Sequence, residues 1–131
     1  MIGIDTNILL RYFVKDDPTQ TPLAVRTIYS LSPEEPGWIT LLVLAELTWT
    51  LRRVFKLNRR AIAGVVAKLL NSQDMVIEQE EIVRQALHLY AATKADFADC
   101  VIAVSARSVG CTTVATLDEV AARDLGMHLI Q

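Results

Sequence analysis

Met1-Ile-Gly-Ile-Asp-Thr-Asn7 decides how the chain is read. Ile2 to Ile4 are predicted as a short apolar strand, and Asp5 falls where that strand ends. A carboxylate there, followed by a hydroxyl and an amide, is what an α/β protein places at the carboxyl edge of its sheet to hold a cation or substrate. Thr6 or Asn7 is expected to cap a helix over Ile8 to Val14, a side-chain oxygen meeting the first free N–H groups. Asp5 is then the first member of an acidic cluster whose other members come later.

Outward from that stretch, 131 residues of which 52% are apolar predict one domain over residues 1–131 with a substantial core. The net charge of −2 argues against a strongly basic nucleic-acid binder. If Asp5, Glu46, Asp99 and Asp118 share one site, setting those four of the 15 acids aside leaves 11 against 13 bases. The remaining surface is then mildly basic and compatible with an anionic substrate. Cys100 and Cys111 match no zinc spacing and are read as small buried hydrophobes of a reducing compartment. The apolar start is broken at Asp5, unlike a signal peptide. The longest apolar run, Trp38 to Leu51, contains Glu46 and is shorter than the ~20 residues that cross a bilayer. The expectation is a soluble cytoplasmic protein with no membrane partner.

Asp17-Pro18 is the pairing a helix start favours, so a second helix is predicted from there to about Leu31. Ser32 to Gly37 is a loop, and Gly37 to Thr40 a strand whose last residue caps the next helix. That helix, Leu41 to about Lys56, is apolar nearly all round and is expected to be largely buried. Further elements are a helix from Asn58 to about Asn71, a strand at Met75–Ile77, and helices over Glu78 to about Thr93 and Asp96 to Ser108. The latter stops at Gly110. Thr112–Thr116 is a β-branched strand, Glu119–Asp124 a short helix, and Met127–Ile130 a last strand. Strands alternating with helices imply a mainly parallel sheet covered on both faces. Two consecutive helices separate strands 2 and 3, and again strands 3 and 4, and the sequence leaves their packing open.

Glu46 is the only charge between Glu35 and Arg52, inside a helix expected to be buried. An unpaired carboxylate there would cost several kcal/mol, so it is either a buried ion pair with Arg52, Arg53 or another base or a functional acid, a metal ligand or catalytic carboxylate. Asp96 and Asp99 share the first turn of a helix, where a cap and a favourable dipole charge suffice to explain Asp96. Asp99 lies among Phe97, Ala98, Cys100, Val101 and Ile102, against plain solvation. Asp118 follows a strand as either a cap or a site acid. Asp5 and Asp118 follow strands. Glu46 is about 9 Å along its helix at 1.5 Å per residue. Asp99 begins a helix that leads into the next parallel strand. All four therefore point to one rim, where carboxylates without a cation would repel. A hard divalent cation, Mg²⁺ or Mn²⁺, resolves that conflict and activates water against a phosphoryl group.

Asp5-Thr-Asn7 after a strand, Glu46 in Ala-Glu-Leu, Asp96-Phe-Ala-Asp99 opening Ile-Ala-Val-Ser-Ala, and Thr116-Leu-Asp118 together resemble the PIN-domain nucleases. Within them the chain is similar to the VapC toxins of type II toxin–antitoxin pairs. The resemblance covers essentially the whole chain and implies a PIN-like three-layer α/β/α sandwich with strand order 3-2-1-4-5. It further implies Mg²⁺- or Mn²⁺-dependent endoribonuclease activity on RNA, homodimerisation, and a cognate VapB-type antitoxin. By position Asp5, Glu46 and Asp99 match the family's core acids and Asp118 its more variable fourth. Thr6, Asn7 and Thr116 match the polar residues beside them.

The densest basic stretch holds Arg52, Arg53, Lys56, Arg59 and Arg60, either a solvated helix end or a path for RNA phosphates. Arg11 and Lys15 are nearer to Asp5. His88 and His128 lack partners at ligand spacing. A phosphatase with an Asp nucleophile after its first strand wants a second Asp two residues on, where Asn7 stands. A receiver domain wants a lysine after a late strand, and Thr112–Asp118 has none. The remaining alternative is a catalytically inactive RNA- or partner-binding module of the same fold. Asn7 is expected to orient Asp5 or cap the first helix.

Overall fold

The computed structural model describes all residues, Met1–Gln131, as two compact units, Met1–Glu80 and Glu81–Gln131. In the first unit β1 (Ile2–Gly3) lies parallel to β2 (Gly37–Ile39), with Ile2 opposite Gly37 and Gly3 opposite Trp38. β2 pairs in parallel with β3 (Met75–Ile77), Ile39 opposite Ile77. Gly37 lies where three side chains converge on the β2 backbone. A Cβ there would stand 2.9 Å from Ile4 Cγ1 and 3.0 Å from both Leu31 Cδ1 and Met75 Sδ, so only hydrogen fits without movement.

Four helices belong to this unit: α1 (Thr6–Val14), α2 (Gln20–Tyr29), α3 (Leu41–Arg53) and α4 (Arg59–Leu70). Asp5, rather than Thr6 or Asn7, caps α1: its Oδ1 accepts from Thr6 N at 2.8 Å. Asp17 caps as expected, accepting from Thr19 N and Gln20 N, although regular helix begins only at Gln20. Thr40 and Asn58 cap α3 and α4 through Val43 N and Ala61 N. The end of α3 is closed by Lys56 in the left-handed conformation (φ 59°), with Leu57 N donating to Leu51 O at 3.0 Å. That six-residue closure stops the helix short of Lys56. α1 packs against α2 and α3, while α4 packs against α3 and β3. This answers how the two helices between strands 2 and 3 are arranged.

The expectation that α3 is buried on every side is not met. Val43, Leu44, Leu47, Thr48 and Leu51 are buried, but Leu42 is 70% and Trp49 57% exposed. A helix lying on other helices has one inward stripe, and its apolar composition does not close the outer face.

The second unit holds α5 (Glu80–Ala92) from its second residue on, α6 (Phe97–Ser108), β4 (Ala115–Thr116), α7 (Glu119–Leu125) and β5 (His128–Leu129). The end of α5 and the start of α6 meet through Tyr90 and Phe97, edge to face with centroids 5.8 Å apart. Val109 closes α6, followed by Gly110 at φ 89°, and Gly126 at φ 70° closes α7. β4 and β5 are parallel, Ala115 opposite His128, and Ala103, Ala121 and Met127 form a core with Val114 and Leu125. Cys100 is buried as expected, but Cys111 is exposed because it lies beyond Gly110, outside the helix face that α6 buries.

The α/β class and its parallel strands agree with the PIN-like expectation. The strands form two separately hydrogen-bonded sheets, 3-2-1 in the first unit and 4-5 in the second. No helix is long and apolar enough to cross a membrane.

Candidate functional site

Of the acids singled out, Asp5 and Glu46 belong to the first unit and Asp96, Asp99 and Asp118 to the second. Asp5 follows β1 with an extended backbone (φ −78°, ψ 158°), which turns the chain from strand into α1 and aims the carboxylate at the helix start. Thr6 links it to Glu46: while Thr6 N donates to Asp5, Thr6 Oγ1 donates to Glu46 Oε1 at 2.8 Å. One threonine thus orients two carboxylates, each keeping a second oxygen out of these bonds. Glu46 is exposed, so it bears no burial penalty and makes no buried ion pair with Arg52 or Arg53. The side chain of Asn7 is exposed in the first turn of α1, and the cap expected of it falls to Asp5.

Asp118 caps α7, its Oδ1 accepting from Ala121 N at 2.9 Å, and its own N donates to Thr116 Oγ1 at 3.0 Å. Thr116 therefore sets the backbone of Asp118 from the last residue of β4. Asp96 stands at the N-cap position of α6 without making the side-chain cap bond expected of it. Asp99, in the first turn, is half-buried. Its carboxyl is pushed above the ordinary carboxylate value by burial first, then by the negative charge of Asp118 and of Asp96. Both neighbouring charges thus act on Asp99.

Every candidate ligand here is a carboxylate oxygen, the donor chemistry that Mg²⁺ or Mn²⁺ takes, with water completing the shell. Within neither unit do three His, Cys, Asp or Glu side chains stand together as a preformed metal site. The donors fit such an ion in type, and the like-charge pressure on Asp99 is what a cation would relieve.

The cationic candidates divide. Arg11 is tied down, Nε donating to Gln20 Oε1 and a terminal nitrogen to Asp16 Oδ1, both at 3.0 Å. Lys15 sits 4.5 Å from the centroid of the Tyr12 ring. Arg52 and Arg53 are exposed in the last turn of α3, and Lys56 is exposed just beyond it. Arg53 lies over the Trp49 ring at 5.7 Å.

One acid escaped the sequence reading. Glu78 directly follows β3, the same strand-then-acid pattern as Asp5, and its Oε1 accepts from Leu41 N at 2.8 Å. It was expected only as the start of the next helix, whereas it satisfies the first N–H of α3 across the sheet.

A family model described as PIN domain matches residues 2–124. The chain is similar to a VapC ribonuclease of Aquifex aeolicus (strain VF5), 28% identical over 108 residues that cover 82% of this chain and 79% of that protein. A crystal structure of FitAcB from Neisseria gonorrhoeae aligns with 100% of this chain and 97% of its own at 20% identity. Its TM-score is 0.37, too loose a likeness to carry an argument.

Proposed function

We propose a function from one premise: the chain belongs to the PIN domain family. The reading is a Mg²⁺- or Mn²⁺-dependent endoribonuclease that hydrolyses phosphodiester bonds in RNA, acting as the toxin of a toxin–antitoxin pair. Its support is the similarity to a VapC ribonuclease and the chemistry of the acids. The observation that carries it is Asp99, a half-buried carboxylate crowded by Asp118 and Asp96. Fold stability alone would not select that arrangement, and a bound cation would make it favourable.

When bound, the divalent ion supplies an acidified water and neutralises charge on the phosphoryl oxygens. The chain's own residues do the rest. Asp5 and Asp99 are the principal ligands, and Asp118 is a further one through the oxygen its cap leaves over. Glu46, held by Thr6, ligates or positions the attacking water. Asp96 adds negative potential beside Asp99, and Thr6, Asn7 and Thr116 are supporting residues. Arg53 and Lys56, with Arg52, meet phosphates. Arg11 and Lys15 belong to the same proposed RNA contact, although Arg11 must first give up Asp16 and Gln20. The proposed partners are a VapB-type antitoxin and a second copy of the chain, and the proposed setting is the cytoplasm.

A second reading is a non-catalytic RNA- or partner-binding module, in which Asp5 and Asp118 serve only as the helix caps they make. A cleavage assay on tRNA and rRNA, with antitoxin-free protein and titrated Mn²⁺, separates the two. Metal-dependent cutting that is lost in Asp5→Asn and Asp99→Asn supports the nuclease. No cutting at any metal concentration, or cutting by both variants, overturns it.

A further inference from the structure

The outer face of α3 carries four residues within one stripe. Leu42, Glu46, Trp49 and Arg53 are spaced by four, three and four residues, so at 100° per residue they lie within about 60° of one another. All are exposed, including an indole that a soluble fold would ordinarily cover. Arg53 lies over one face of the Trp49 ring at 5.7 Å from its centroid. Glu46, one turn earlier on the same stripe, has its carboxylate held by Thr6.

We propose that Trp49 is a nucleobase-stacking platform for single-stranded RNA, with Arg53 backing the ring and contacting the adjacent phosphate, one helical turn from Glu46. This rests on the ribonuclease reading, because it is the role of Glu46 that brings the substrate to this face. An indole offers a stacking surface to any base, and a guanidinium on its other face adds positive charge where the sugar–phosphate chain must pass. Lys56, exposed three residues beyond the end of α3, adds a further positive charge. A second copy of the chain on this face is disfavoured on the same grounds. A second copy docked over this stripe would cover Glu46, and the cations flanking the ring complement a polyanion. The subsite recognises bases without a hydrogen-bond code, so it sets where a single strand lies and leaves sequence choice to other contacts.

The test measures binding of a short oligoadenylate and of its abasic counterpart to the full chain in EDTA, where cleavage does not interfere. Trp49→Ala should weaken oligoadenylate binding by about fivefold to 150-fold, the loss of one stacked base. It should leave the abasic strand unaffected. Trp49→Phe should retain most of the affinity, and Arg53→Ala should weaken binding of both strands. Oligoadenylate should quench the tryptophan emission of the wild type but not of Trp49→Phe, whose only remaining indole is Trp38. Unchanged affinity of Trp49→Ala, in protein whose wild type cleaves RNA with Mn²⁺, overturns the platform and leaves the nuclease standing. A changed sedimentation coefficient in Trp49→Ala makes the ring a protein contact and also overturns it. Base-dependent binding through Trp49 without cleavage supports the platform and overturns the nuclease. A wild type that neither binds nor cleaves overturns both.

Discussion

Thr6 joins Asp5 to Glu46: its backbone N donates to the aspartate and its hydroxyl to the glutamate 40 residues away, each at 2.8 Å. The bond fixes which way a long, exposed side chain on α3 points. Thr6→Val keeps the shape and removes the donor. It should cost about 1 kcal/mol or less in urea denaturation, since water can replace an exposed bond. It should lower RNA cleavage more than it lowers stability, and Thr6→Ser should restore the activity.

Asp5 and Asp118 each cap a helix and are each proposed to hold the ion, and substitution can separate the two tasks. Asn caps nearly as well as Asp, whereas Ala does not cap. Asp5→Asn and Asp118→Asn should melt close to the wild type, and the Ala variants should lose about 0.5–2 kcal/mol each. With Mn²⁺, Asp5→Asn should be as inactive as Asp5→Ala. Equal activity in the wild type and Asp5→Asn would reduce Asp5 to a cap.

Asp99 gives a pH dependence with a definite sign. Its folded carboxyl titrates above the ordinary 3.8, through burial and then Asp118 and Asp96, so the folded state holds a proton that the unfolded state has already lost. Stability from this group therefore falls as pH rises from about that ordinary value through the folded one. In metal-free buffer Asp99→Asn should be more stable than the wild type above this window and should lose the advantage below it. Added Mn²⁺ should stabilise the wild type and not the variant, which melting curves against pH and metal concentration would reveal.

The two faces of α3 should respond differently to the same truncation. Leu47 is fully buried, and Leu47→Ala should cost about 2–5 kcal/mol. Leu42 is 70% exposed, and Leu42→Ala should change stability by no more than about 0.5 kcal/mol. Comparable losses at both positions would mean that the outer stripe is covered in solution.

Gly37 has no room for a methyl group between Ile4, Leu31 and Met75. Gly37→Ala should destabilise by about 1–3 kcal/mol, read as a lower urea midpoint with an unchanged slope. A shortened residue at position 75 should recover part of that loss, because the Met75 thioether is one of the three obstructions.

What the sequence determined by itself is local. Thr40, Asp17 and Asp118 act as caps where their neighbours predicted, because a cap reaches only two or three residues along its own chain. Gly110 and Gly126 take up positive φ because they follow apolar helical runs and carry no Cβ. Strands 2 and 3 were legible from short apolar runs between turn residues. Tertiary structure decided what depends on which face meets which. Composition alone buried all of α3, but only its inward stripe finds neighbours, so Glu46 and Trp49 face water. Cys111 is likewise exposed and Arg11 is held by Asp16 and Gln20, neither of which its own position foretold. Glu78 reaches Leu41 N across 37 residues, and Thr6 reaches Glu46 across 40. Met1–Asn7 announced an acid after a strand. That Asp5 is joined through Thr6 to Glu46 required the chain to bring α3 beside α1, and no periodicity within seven residues encodes that.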